Sequence, residues 1–193
     1  MENIYGIGAT VLGIIGAAAY IRDTYNRKTI PHRFAWLIFL ILSVVSFASQ
    51  AALGAKASLF YAGWFVVNNI IITTLSFRKN GGYGGITKLN IFCLFLAVVG
   101  IILWQILSSP LLALISVLIA DGIGALLIVV KSYKHPHSET LIMWILGLVA
   151  SILMMLSVGK LDPVLLASPV QLLLFNIAIV SAIGIGKKVH SKV

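Results

Sequence analysis

Seven membrane-spanning α-helices, built as two parallel three-helix bundles joined by a linker helix, are the fold class this sequence predicts. Three observations predict it. The composition is 60% hydrophobic and 10% charged, with a mean hydropathy of +1.07; a soluble domain carries roughly 25% charged residues. Apolar runs of membrane length, all but one without a charge, recur along the 193 residues. The chain also matches itself at a shift of 108 positions. A water-soluble fold cannot cover its surface with so little charge, so most of the surface must face lipid.

The runs are Ile4 to Ile21, Phe34 to Leu53, Ala57 to Phe77, Leu89 to Leu107, Leu111 to Val130, Thr140 to Val158 and Leu165 to Ile185. At 1.5 Å per residue, eighteen to twenty-one residues give about 27 to 32 Å, which matches a hydrocarbon core of roughly 30 Å. Helices are required, because an open strand leaves backbone groups unpaired in lipid. A barrel would show short alternating segments instead of continuous runs.

The first run is not a cleavable signal peptide, because Glu2 precedes it and Arg22, Arg27, Lys28 and Arg33 follow it, the reverse of a positively charged leading segment. Further basic residues follow the third run (Arg78, Lys79, Lys88), the fifth (Lys131, Lys134) and the seventh (Lys187, Lys188, Lys192). Only Lys56 and Lys160 fall on the other side. The split predicts an N-terminus outside and a C-terminus in the cytoplasm of a plasma (inner) membrane. It also explains the net charge of +9 as a topology signal, not a nucleic-acid surface. Cys93 is the single cysteine, which excludes an internal disulfide and a cysteine-built metal site. The segment Asn80-Gly81-Gly82-Tyr83-Gly84-Gly85 reads as a flexible linker, since no strand and helix flank it to make a phosphate loop.

The shift of 108 places Gly16 on Gly124, Ala17 on Ala125, Tyr25 on Tyr133, Trp36 on Trp144, Ser43 on Ser151, Ser49 on Ser157, Asn68 on Asn176 and Lys79 on Lys187. Leu and Ile matches are common in such a composition, but Tyr, Trp and Asn in one register are not. Four spans lie within one period, so both copies run in the same sense, as a parallel repeat about an axis along the membrane normal. The expected domains are residues 1–79 as a first three-helix bundle, 80–109 as cytoplasmic linker and inversion helix, and 110–193 as a second bundle.

This 3+1+3 layout, with an Asn in the third helix of each half (Asn68, Asn176) nineteen positions after a Ser (Ser49, Ser157), resembles the SWEET and PQ-loop transporter superfamily. No Pro-Gln dipeptide is present, and the first and fifth runs lack internal proline; Gly13, Gly16, Gly122 and Gly124 could supply flexibility there. The resemblance implies a small-solute transporter working by alternating access, with the Asn pair and residues of the second helix lining a central substrate site. Some superfamily members couple to protons through an acidic residue of the fifth helix, the position that Asp121 resembles.

The residues themselves leave alternatives open. Asn68 and Asn176 are each the twelfth residue of their run, near the bilayer midplane, where an unmet amide is costly. They serve either as helix-helix glue or as substrate ligands. Trp64 and Tyr61 share the face of Asn68 and either stack on a solute or pack. Asp121, the one acidic residue inside a run, is costly there in ionised form, so it is either a proton carrier or a neutral bonded acid. Tyr25, Tyr133, Trp36 and Trp144 read as an aromatic belt with gating as the alternative. His135, His137 and Glu139 read as a solvated turn sooner than a metal cluster.

No catalytic constellation occurs, so the expectation is a non-enzyme without cofactor or metal. Its expected partners are a sugar or similar small polar solute and the lipid bilayer, with no nucleic acid and with room for a homo-oligomer. The expected site is Asn68, Asn176, Ser49, Ser157 and Trp64, with Asp121 for proton coupling. The alternatives are a non-transporting seven-helix receptor for a small ligand or peptide, or a vitamin or amino-acid carrier.

Overall fold

Each apolar run folds as an α-helix. The computed structural model describes residues 2–52, 57–106, 110–159 and 161–190. It contains α1 (Glu2–Tyr25), α2 (Arg33–Ala52), α3 (Ala57–Phe77), α4 (Lys88–Ile106), α5 (Pro110–Lys134), α6 (Leu141–Ser157) and α7 (Pro163–His190). Among the described residues there is no strand, only a single parallel bridge between His32 and Tyr83.

The ends follow from local chemistry. Pro110 and Pro163 open α5 and α7, where a missing N–H is no loss. Asp162 caps α7, its Oδ1 accepting from the backbone N–H of Val164 at 3.0 Å and Leu165 at 3.2 Å. Residues at positive φ lie just past three helices: Arg27 (58°) after α1, Asn80 (60°) after α3 and Gly159 (69°) after α6.

By length and composition, Ile4–Tyr25, Leu114–Lys134 and Pro163–Val189 can each cross a membrane. The described parts of α2, α3, α4 and α6 supply shorter apolar stretches. Much of the exposed surface is large and apolar, for example Leu89, Ile91, Phe92 and Phe95 on α4. Such a surface is stable against acyl chains and a liability in water.

The chain divides into two contact units, one of Met1–Thr29 with Ile128–Val193 and one of Ile30–Leu127. In the first, α1 packs along α6, and α6 along α7. Glycines make that seam: an added Cβ on Gly8 would lie 3.3 Å from Leu153 Cδ1, and one on Gly16 would lie 3.5 Å from the Met143 backbone. In the second unit α2 packs along α3 and α4, and a Cβ on Gly124 would strike the Phe39 ring at 2.6 Å. The repeat-related glycines 16 and 124 thus each make room for a neighbouring helix, Gly16 for the backbone of α6 and Gly124 for a side chain of α2. Both lie in unbroken helix, where a missing side chain leaves room for a neighbour.

The Gly-rich linker is docked, contrary to the flexible reading. Tyr83 donates its N–H to the Pro31 carbonyl at 2.8 Å, and Arg33 donates its N–H to the Tyr83 carbonyl at 3.0 Å. The Arg33 side chain reaches the carbonyls of Ser76 (Nε, 2.9 Å) and Gly84 (Nη1, 3.2 Å). A side chain at Gly82 would collide with the Ser76 carbonyl, and Gly84 holds φ +85°. Glycine is therefore required for packing as much as for conformation.

The turn after α5 also departs from expectation. His135 and His137 are exposed, but the side chains of Lys131 and Glu139 are both 0% exposed and pair at 2.7 Å. Lys131 Nζ also donates to the Ser138 carbonyl (2.8 Å), and Trp144 Nε1 donates to Glu139 Oε2 (3.0 Å). Trp144 stands edge-on to the buried Tyr20 ring at 6.0 Å. Beside this, Thr140 donates to Asp23 Oδ2 at 3.1 Å. The proton of Thr140 is thereby used, so its short bond with Thr29 leaves Thr29 as donor.

Of the expected aromatic belt, Tyr25 and Tyr133 are exposed, whereas Trp36 and Trp144 are buried. An indole with a carboxylate acceptor, or one held edge-to-face with Phe39 at 5.7 Å as Trp36 is, gains more inside the protein than at an interface.

Removing one partner of the Lys131–Glu139 pair strands a buried charge. Lys131→Met or Glu139→Gln alone should lower stability in detergent by about 3–5 kcal/mol, while the double variant Lys131→Met/Glu139→Leu should recover most of it. Thermal unfolding of the three proteins decides, and equal losses in single and double variants would show that the pair is not coupled.

Candidate functional site

The polar residues within the helices fall into two sets, one per unit. In the unit Ile30–Leu127, α3 carries Asn68 and Asn69 side by side, 4% and 1% exposed. Their surroundings differ. Asn69 donates from Nδ2 to the Phe39 carbonyl at 3.2 Å, tying α3 to α2, and Thr73 one turn on does the same to the Trp36 carbonyl at 3.0 Å. Asn68 Oδ1 is buried with no hydrogen-bond partner among the described residues.

Trp64, one turn before Asn68, is 37% exposed and half turned out of the core. Asp121 lies in the same unit, partly accessible on α5. It follows Ala120, whose Cβ would be 3.3 Å from a Cβ on Gly100 of α4. The side chains of Ser49 and Tyr61 lie outside the described residues.

In the other unit, α7 presents Asn176, 3% exposed, with Nδ2 donating to the Leu172 carbonyl one turn back at 2.8 Å. Its amide lies over α6: a Cβ on Gly147 would sit 2.5 Å from Asn176 Oδ1. Gly147 is the seat of this amide. Ser157 stands ten residues further along α6, about 15 Å by helical rise, donating to the Met154 carbonyl at 2.7 Å. It lies on the face toward Gly6 of α1, whose added Cβ would be 3.9 Å from the Ser157 Cβ. Asn176 and Ser157 therefore occupy different levels of this unit.

The two repeat-related amides are thus unlike. Under the 108-residue shift Gly147 corresponds to Phe39, so one Asn meets a glycine where its counterpart's helix faces a phenylalanine. In the second copy a side-chain amide fills the space over glycine. In the first, the neighbouring Asn69 bonds the Phe39 carbonyl and Asn68 is left with an unmet oxygen. Asn69 and Gly147 escape a repeat-based reading because neither is matched by its own kind in the other copy.

Among the described residues no group of three or more His, Cys, Asp or Glu side chains could hold a metal ion. No family model, curated protein or solved structure matches this chain.

The Asn176 seat makes a direct test. Gly147→Ala should displace the amide and lower stability by about 1–3 kcal/mol, as overpacking does. Asn176→Ala in the same chain should relieve most of that loss, giving a coupling energy well above the roughly 0.5 kcal/mol of independent sites in a double-mutant cycle of unfolding. Additive losses would mean that the two residues do not share this space.

Proposed function

We propose that this chain is a small-solute membrane transporter of seven spans, with Asn68 as the principal solute ligand. The observation that carries the proposal is the buried, unpartnered Oδ1 of Asn68. Leaving such an acceptor unmet costs about 1–3 kcal/mol, and an amide kept as helix glue would take a partner, as Asn69 does at the neighbouring position. An acceptor held without a protein donor suits a solute that brings one, such as a hydroxyl or amine. That chemistry is compatible with a sugar or another small polar solute.

The seven runs, the parallel repeat and the basic-residue split support seven spans with the N-terminus outside. Asn176, Ser49, Ser157 and Trp64 remain secondary candidates for solute contact. Asp121, polar at membrane depth, is the candidate for coupling to protons.

Two outcomes are expected. Asn68→Leu should fold at least as stably as wild type, because it removes a buried acceptor that has no partner among the described residues, and should abolish solute-induced thermal stabilisation in a screen of sugars, vitamins and amino acids. Asn69→Leu should instead lose stability by about 0.5–2 kcal/mol, the worth of a hydrogen bond between membrane helices. A folded Asn68→Leu protein that still responds to the solute would remove Asn68 from the site. The same solute, followed in vesicles with an imposed pH difference, reads the role of Asp121 through Asp121→Asn.

For orientation, the α6–α7 turn offers Leu161, 95% exposed, and the linker offers Gly85, where an added Cβ meets nothing within 4 Å. In a Cys93→Ala background, Leu161→Cys should react with an impermeant thiol reagent outside intact cells and Gly85→Cys should not; the reverse pattern would invert the topology.

A further inference from the structure

The unit formed by Met1–Thr29 with Ile128–Val193 gathers cations from three distant stretches of sequence at one end. Gly186 of α7 is pressed on the Tyr133 carbonyl, with Pro136 Cβ 3.3 Å from where its own Cβ would stand. This seats the exposed Lys187 and Lys188 beside the exposed Lys134. The Thr29–Thr140 bond draws the turn carrying the exposed Arg27 and Lys28 to the start of α6.

Among the described residues, the acids Glu139 and Asp23 at this end each have partners of their own. Glu139 has no exposed side-chain surface and is spent on Lys131 and Trp144, while Asp23 accepts from Thr140 and from Arg22. What faces outward is a cationic rim. Its depth is set by the helices that lead to it, because the three stretches long and apolar enough to cross a membrane end at Tyr25, Lys134 and Val189. Each of these ends adjoins the rim, at the level where lipid headgroups lie.

We propose that this rim is a binding site for anionic phospholipid, with Lys134, Lys187 and Lys188 gripping the headgroup phosphate and Arg27 and Lys28 extending the field. The proposal needs membrane residence but not solute transport, so it stands or falls apart from the function proposed above. Each cation near an anionic lipid surface is worth roughly a factor of five in affinity.

The test is thermal unfolding of the full chain in uncharged detergent at pH 8, where His135 and His137 add little charge. Phosphatidylglycerol, phosphatidylcholine or inorganic phosphate is added in turn. Phosphatidylglycerol should stabilise the protein where the other two do not. The variant Lys134→Gln/Lys187→Gln/Lys188→Gln should weaken the apparent affinity on the order of 100-fold, and Arg78→Gln/Lys79→Gln/Lys88→Gln in the other unit should leave it within a few-fold. Equal stabilisation by phosphatidylcholine or by phosphate alone, or equal losses in the two triple variants, would overturn the site. If the first variant does not fold, a salt titration of the wild type decides. A phosphatidylglycerol effect that fades between about 0.05 and 1 M NaCl supports the rim, and one that persists refutes it.

Discussion

Lipid gives helices no hydrophobic reason to meet, since acyl chains are as apolar as leucine. Once each apolar run has satisfied its own backbone by coiling, it needs some other cause to associate with its neighbours. In this structure, where three helices are long and apolar enough to cross a membrane, two devices supply such a cause. Missing side chains make room, for the backbone of α6 at Gly16 and the Tyr133 carbonyl at Gly186, and for the side chains of Leu153 at Gly8 and Phe39 at Gly124. Polar side chains reach across, as Asn69 and Thr73 do to the backbone of α2. At the helix ends, ionic groups can enter because water is close by, and there the Lys131–Glu139–Trp144 cluster joins α5 to α6.

These devices were unequally legible in the sequence. The helices were readable because long apolar runs must satisfy their own backbone by coiling, and α1, α5, α6 and α7 follow their runs to within a few residues. Buried polar pairing was less so. Lys131 looks like any basic residue between apolar runs, and Glu139 like part of a solvated turn, because pairing depends on which end of which helix comes beside another. A repeat reveals what two copies share, so it drew attention to Asn68 and Asn176. Their unlike surroundings arise from the unmatched residues, Asn69 in one copy and Gly147 in the other. The linker misled for a related reason. Glycine is read as freedom when seen in sequence, yet at Gly82 it records a backbone pressed so close that no side chain fits.

The candidate site inherits this asymmetry. If Asn68 and Asn176 descend from one ancestral position, they have since diverged in what they touch. One amide is seated over a glycine with its donor spent on its own helix, and the other keeps a buried acceptor open.

The seam between α1 and α6 has a consequence for biosynthesis. Met143 and Leu153, which Gly16 and Gly8 face, are joined to the chain more than a hundred residues after α1 is complete. At a synthesis rate of about 5–20 residues per second, α1 is complete for roughly 7 to 26 s before all of α6 exists. Through that interval its small-residue face is open to whatever other helices lie nearby. The protein's first helix is therefore among the last to acquire this part of its native surroundings, and its assembly in a cell is exposed to competition that the finished molecule no longer shows.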